Sequence, residues 1–193
     1  MVVAETDPST ESTPPAGGLE LVRRFVNSLD IEAGTDELTD PDGWPAWAGR
    51  NGFRQQPSSS SDDLARLVRL REALREGLQA NHDRAPLPEA VATELTRAAQ
   101  WAEVRVRFCP DGAMLGSEAD GARAVGAQVL ARVAAGLADG TWARLKVCRN
   151  DACRWAFFDT SRSRTGQWCS MGVCGNRAKQ ARHRSRRTAE PNL

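Results

Sequence analysis

The sequence predicts a mostly helical α+β domain with one small β-hairpin over residues 19–140, followed by a short module over 141–187 held together by four cysteines. Three observations carry this. Apolar residues recur at helical spacing in four stretches between Leu19 and Gly140, with one alternating stretch among them. Cys148 and Cys153 form one C-x4-C pair, Cys169 and Cys174 form another, and fifteen residues separate the pairs. Charge is segregated along the chain. The formal net charge of the 193 residues is +1, yet residues 144–187 hold 12 Arg and Lys against only Asp151 and Asp159, a local charge of +10. The remainder is therefore at −9. Such asymmetry points to a polyanion partner for one end of the chain.

The elements follow in order. Residues 1–18 are rich in Pro, Ser, Thr and Glu and predict a disordered tail. They carry no basic and apolar run of the secretory kind, so a reducing cytoplasm is the expected compartment. Leu19–Leu29 places Leu21, Val22, Phe25, Val26 and Leu29 on one helical face. Asn27 and Asp30 are expected to cap and turn the chain around Asp30–Gly34; the alternative is a binding role. Thr35–Pro57 reads as a loop, because Pro41, Gly43, Pro45, Gly49 and Gly52 limit element length. Trp44 and Trp47 are expected to pin this loop to the core; the alternative is a ligand pocket.

Leu64–Asn81 predicts a helix capped by Ser61 or Asp62, with Leu64, Leu67, Val68, Arg71, Leu74 and Leu78 inward. Pro86 and Pro88 lead into a helix over Glu89–Gln100. Trp101–Cys109 alternates and predicts a strand with one wet face, returning through Pro110–Gly112 to Ala113–Ser117. Cys109 reads as an apolar filler. Asp120–Gly140 predicts a long helix with Val125, Val129, Leu130, Val133 and Leu137 inward, and Gly126 and Gly136 allowing close packing. Gly121–Gln128 has the glycine spacing of a phosphate-binding loop but lacks the Lys-Ser/Thr that must follow, so nucleotide binding there is rejected. No stretch is apolar and long enough to span a membrane. Tyr is absent and His occurs only twice, which leaves little material for histidine chemistry.

The cysteine module reads as a metal site. A thiol pair at this spacing can be offered by one tight turn, and four soft ligands at tetrahedral corners are what Zn2+ takes. Two disulfides or four unrelated buried thiols are the alternatives. Cys148–Cys153 predicts a knuckle turning at Asn150–Asp151. Arg154–Phe158 and Gln167–Cys169 predict a two-stranded hairpin, and Ser170 caps a helix that supplies Cys174. Knuckle, hairpin and helix start together make a treble-clef-like arrangement. Behind Cys174 the helix carries Arg177, Lys179, Arg182, Arg184, Arg186 and Arg187, with Asn176 and Gln180 as the neutral side chains able to read bases. Residues 188–193 form a short tail.

Trp168-Cys-Ser-Met-Gly-Val-Cys174-Gly-Asn-Arg177-Ala-Lys179 resembles the signature of the CGNR zinc-finger proteins, named for Cys174-Gly175-Asn176-Arg177. Arg144–Cys148 and Phe157–Arg162 are similar to the same family. Phe25–Asp30 and Leu70–Arg75 resemble the ABATE domain that usually precedes this finger. The chain departs from the family at Thr165–Gln167, where the family is often more basic. The resemblance implies a stress-induced transcription regulator that binds DNA. It makes Cys148, Cys153, Cys169 and Cys174 the zinc ligands and leaves the N-terminal domain to sense a small molecule or protein partner. A protein-interaction adaptor and an RNA-binding factor are the alternative functions. No enzyme is expected, because four thiolates close the coordination sphere of zinc.

Overall fold

The computed structural model describes residues 18–53 and 59–189, with side chains through Arg184. The tail expected over 1–18 lies outside the described residues except at Gly18, as do residues 54–58 of the expected loop and the last four residues of the C-terminal tail.

Helix α1 (Glu20–Val26) buries Val22, Phe25 and Val26, as its spacing requires. It leads into a two-residue antiparallel pair, β1 (Leu29–Asp30) with β2 (Thr35–Asp36), which turns through Gly34 at φ 69°. The segment expected to be a loop contains a short helix, α2 (Gly43–Arg50). Pro45 does not break it, because it sits in the first turn, where a backbone N–H has no partner to lose. Trp44 and Trp47 are buried and stacked at 6.1 Å, and Phe25 meets Trp47 edge-on at 5.8 Å.

Helix α3 (Ser61–Ala80) is the central strut. Its cap is Ser60, not Ser61 or Asp62: the Asp63 N–H donates to Ser60 Oγ at 3.1 Å. Leu67, Leu70, Leu74 and Leu78 line its buried face, and Arg71 and Arg75 are buried among them. Arg71 grips Asp36 with both ends of its guanidinium, at 2.6 and 2.8 Å. Arg75 donates to the Val26 carbonyl at 2.6 Å and to the Glu72 carboxylate. These two arginines thus replace apolar packing with directed bonds that fix the end of α1 and strand β2.

Helix α4 (Glu89–Trp101) runs one residue beyond its expected end. Trp101 therefore belongs to a helix and not to a strand, and its Nε1 donates to Asp63 Oδ1 at 3.1 Å. Glu103 takes φ 54°, a left-handed conformation that a strand cannot contain, so β3 begins only at Arg105. Strand β3 (Arg105–Cys109) pairs with β4 (Gly112–Gly116), Val106 opposite Leu115 and Phe108 opposite Ala113. The expected single wet face is corrected: every residue of β3 is exposed, so both faces meet solvent. Helix α5 (Gly121–Asp139) buries Val125, Val129, Leu130 and Val133 but leaves Leu137 44% exposed, against expectation. A Cβ at Gly126 would lie 2.9 Å from Trp101, and one at Gly136 2.9 Å from Leu19; both glycines serve close packing. Gly140, at φ 77°, ends the helix.

A single 3-10 turn, Thr141–Arg144, buries Trp142 and delivers β5 (Leu145–Val147), which pairs antiparallel with β6 (Ala156–Phe158). This corrects the expected hairpin. The partner of β6 lies before Cys148, not at Gln167–Cys169. Arg154 takes φ 49°, so the strand starts at Ala156. Residues 160–167 are wrapped around Asp159, and the Arg149 N–H donates to the Gln167 carbonyl at 2.9 Å, a backbone bond that ties this loop to the knuckle. Leu145, Val147 and Ala156 join the same apolar cluster as Phe25, Leu74 and Leu78, so one core runs from α1 into the cysteine module. A π-turn, Met171–Gly175, then opens α6 (Asn176–Ala189). Among the described residues no helix is long and apolar enough to cross a membrane.

Candidate metal centre and basic helix

Each cysteine is delivered by a local device that the sequence explains. The Cys148 N–H donates to the Trp155 carbonyl at 2.9 Å, so the first thiol leaves the end of the β5–β6 ladder. The chain then turns at Asn150, whose carbonyl accepts the N–H groups of Cys153 and Arg154 at 2.8 and 2.9 Å. Cys174 sits on the turn that opens α6, and Cys169 directly precedes Ser170, the cap of that turn. Ser170 Oγ accepts the Val173 N–H at 3.3 Å, and its carbonyl accepts the Gly175 N–H at 3.0 Å. Gly175 lets Met171 lie close over the turn: a Cβ there would sit 2.9 Å from Met171 Sδ, and the Met side chain would have to shift.

The four Sγ atoms all lie within 4.8 Å of one another. Cys153 and Cys169 are 3.7 Å apart, and Cys169 and Cys174 are 3.8 Å apart. A tetrahedron with metal–sulfur bonds near 2.3 Å has edges of about 3.8 Å, so the set fits a four-coordinate metal ion. Cys148 and Cys174 are buried, and the other two are half-buried. Without a cation the thiols compete. Hydrogen bonds from Cys153 and Cys169 push the Cys148 thiol down to about 2, and the thiolate at Cys148 pushes Cys153 up to about 12 and Cys169 up as well. Four thiolates can coexist here only around a positive ion. Asn150 Nδ2 points at Cys174 Sγ from 3.6 Å, the arrangement of an outer hydrogen bond to a ligand. Cys109, exposed at the β3–β4 turn with its Sγ 3.4 Å from the Gly112 carbonyl, stands apart from the cluster.

A buried ion pair supports the module from behind. Lys146 Nζ meets Asp159 Oδ2 at 2.8 Å, both side chains 2% exposed, and also donates to the Arg164 carbonyl at 2.7 Å. Asp159 collects the Ser161 hydroxyl and N–H and the Gly166 N–H as well. Burial alone would raise its pKa; the Lys146 ammonium and these donors outweigh it and hold the carboxyl at about 2. A Cβ at Gly166 would sit 2.8 Å from this carboxylate. The sequence counts Lys146 and Asp159 as charges and places both in family-like stretches, but does not pair them. The signal that marked Asp159 was the Asp-Thr-Ser run, whose side chains bond their own backbone in turns.

The seam between the two halves is polar and directional. Asn27 caps the end of α1, as expected, and its side chain also bonds Ala156 twice, donating to its carbonyl at 3.0 Å and accepting its N–H at 2.6 Å. Asn81 donates to the carbonyls of Trp142 and Leu145, and His82 Nε2 donates to the Val147 carbonyl. Burial lowers the His82 pKa from its ordinary value and so favours the neutral ring.

Helix α6 carries the residues assigned to nucleic acid. Asn176, Arg177, Lys179, Gln180, Arg182 and Arg184 are all exposed on it. Arg186 and Arg187 lie on its backbone, beyond the described side chains. Asn176 Nδ2 donates to the Gly172 carbonyl at 2.9 Å and closes the turn. Arg177 is engaged by Glu32 from the turn between β1 and β2, through two contacts of 2.9 Å. Glu32 raises the Arg177 pKa most, and Cys174 and Cys153 add to it.

Residues 144–187 match the family model of the CGNR zinc finger. Residues 19–140 match the ABATE model, whose description reads "Putative stress-induced transcription regulator". No curated protein matches the chain. The ABATE model covers more than half of the 193 residues, and the chain belongs to that family, with a CGNR zinc finger following the ABATE domain.

Proposed function

We propose that the protein is a zinc-dependent, DNA-binding transcriptional regulator of the cytoplasm, whose N-terminal domain senses a ligand or partner. One observation carries this reading: α6, dense in exposed basic side chains, begins on the turn that supplies Cys174. Soft thiolates at these separations suit Zn2+, held by Cys148, Cys153, Cys169 and Cys174. The ion would supply a cross-link and no open coordination position, which supports a structural role and argues against catalysis. The protein's own part is to present α6 rigidly. Between Asn176 and Ala189 the helix has no acidic residue, and its apolar side chains are alanines, so its surface suits phosphates better than an apolar protein groove.

The test compares scaffold with contact surface. Anisotropy titrations of duplex DNA at several salt concentrations should give a log K against log[salt] slope of about −5, for six phosphate contacts from Arg177, Lys179, Arg182, Arg184, Arg186 and Arg187. Cys174→Ser should abolish zinc and binding together. Arg182→Ala with Arg184→Ala should keep zinc and flatten the slope by roughly two units. A salt-independent affinity would favour an adaptor, and preference for folded RNA over duplex DNA would favour the RNA reading.

A further inference from the structure

Twelve of the described arginines have a carboxylate within 4.0 Å, and three that do not line one crevice. Arg84 leaves the end of α3; Arg162 and Arg164 come from the loop wrapped around Asp159. Together with Ala85 and Ala143 they surround about 430 Å3. A second hollow of about 310 Å3 adjoins it through the shared Arg84 and Arg164, and is lined by Lys146 and Arg149 among others. The one carboxylate on that wall, Asp83, is spent on Arg149 at 3.0 Å. Lys146 is spent on Asp159. The uncompensated charge is therefore the three guanidiniums of Arg84, Arg162 and Arg164.

The crevice is built, not incidental. Arg84 and Arg164 both hold φ 54°, a left-handed conformation that costs a non-glycine residue energy. Each is pinned: Arg84 by its bond to the Ser163 carbonyl at 3.0 Å, Arg164 by the Lys146 ammonium on its own carbonyl. The floor is fixed by buried Asn81, which donates to two carbonyls beneath it. Strained residues held this firmly concentrate where ligands bind. The volume suits a small molecule. Planar guanidinium forks match the oxygens of phosphate better than any neutral group does.

We infer that this crevice, at the seam between the ABATE domain and the finger, binds a small anion bearing two linked phosphate groups. It deepens the ligand-sensing half of the proposed function and supplies its site. A ligand there touches the α3 end on one side and the Asp159 loop on the other, so it would join the two halves. DNA binding by α6 is a separate matter, and direct ligand titration needs no DNA; either reading can fail alone.

The probe is inorganic pyrophosphate, titrated calorimetrically into the zinc-loaded full chain at constant ionic strength. Saturable one-to-one binding is expected. Arg84→Asn with Arg162→Gln keeps the left-handed turn accessible and should weaken binding roughly tenfold or more for each guanidinium removed. Arg182→Ala with Arg184→Ala should bind pyrophosphate as wild type does. Absence of saturable binding, equal binding by the Arg84/Arg162 variant, or loss in the α6 variant overturns the proposal. A duplex-DNA titration of the Arg84/Arg162 variant supplies the last arm. An unchanged salt slope supports a free ligand; a slope flattened by about two units would assign the crevice to the DNA backbone and overturn it.

Discussion

Asp159 is where charge, burial and backbone meet. Its carboxylate closes the 160–166 loop and neutralises Lys146, which has no other charged partner among the described residues. Asp159→Asn keeps the shape and leaves a buried ammonium unpaired, so it should cost about 3 kcal/mol in urea unfolding at neutral pH. The pH dependence has a definite sign. A carboxyl depressed from 3.8 to about 2 gives stability that is full above pH 4 and is lost as pH falls toward 2. That contribution is about 2 kcal/mol. In a carbon NMR titration Asp159 should stay ionised until the protein unfolds in acid; a midpoint near 4 would contradict the buried pair. Glu32 poses the opposite case, an exposed carboxylate on the first arginine behind the cluster. Any phosphate at Arg177 must displace it. Glu32→Gln should tighten duplex binding by about two- to fivefold at low salt, since exposed pairs are weak. An unchanged affinity would mean that Arg177 touches no phosphate.

Among elements, those with one clear periodicity were legible. Leucines three and four apart in α3 and the valines of α5 declared their helices; Asp120, Gly140 and Ser170 cap where expected, and the α3 cap lies one or two residues before its expected place. The four cysteines declared a cluster because spacing and chemistry agree. What stayed hidden depended on partners distant in the chain. The sequence points downstream, to Gln167–Cys169, for the strand opposite β6, because it shows no reason for Leu145–Val147 to fold back across the knuckle. The reason is the apolar floor that α1 and α3 offer to Leu145, Val147 and Ala156. The left-handed residues Glu103 and Arg154 were equally invisible, and each shortened an expected strand. Asn27 is legible as the cap of α1, but not its bonds to Ala156, because that partner lies 129 residues away. That bond pair gives an element-level test. Asn27→Ala strips both bonds from the buried backbone of Ala156, and should cost about 2 kcal/mol by thermal or urea unfolding. A loss below a few tenths of this would mean that the seam relies on apolar packing alone.

For the whole molecule, the apolar core crosses the boundary that the sequence drew at residue 140. Leu145 and Val147 are fully buried against the N-terminal helices, Trp142 is buried beside them, and Asn27, Asn81 and His82 add directed bonds across the seam. The strands carrying these residues lead directly into Cys148 and out of Cys153. A metal at the cluster therefore tethers part of the shared core, and its stabilising effect should reach the ABATE domain. Zinc-replete protein should unfold in a single transition, with tryptophan fluorescence and far-ultraviolet circular dichroism coinciding. Chelation should leave α1–α5 helical, because Leu67, Leu74, Val129 and Val133 need no metal to be buried. It should nonetheless lower the midpoint of that helical signal, since β5 and β6 lose their anchor and expose the floor beneath them. Two independent halves would behave otherwise: the helical midpoint would stay fixed while only the finger melted. Measuring both signals with and without chelator distinguishes these outcomes. A helical midpoint unmoved by zinc removal would show that the seam, despite its continuity, transmits nothing from the cysteine cluster to the domain behind it.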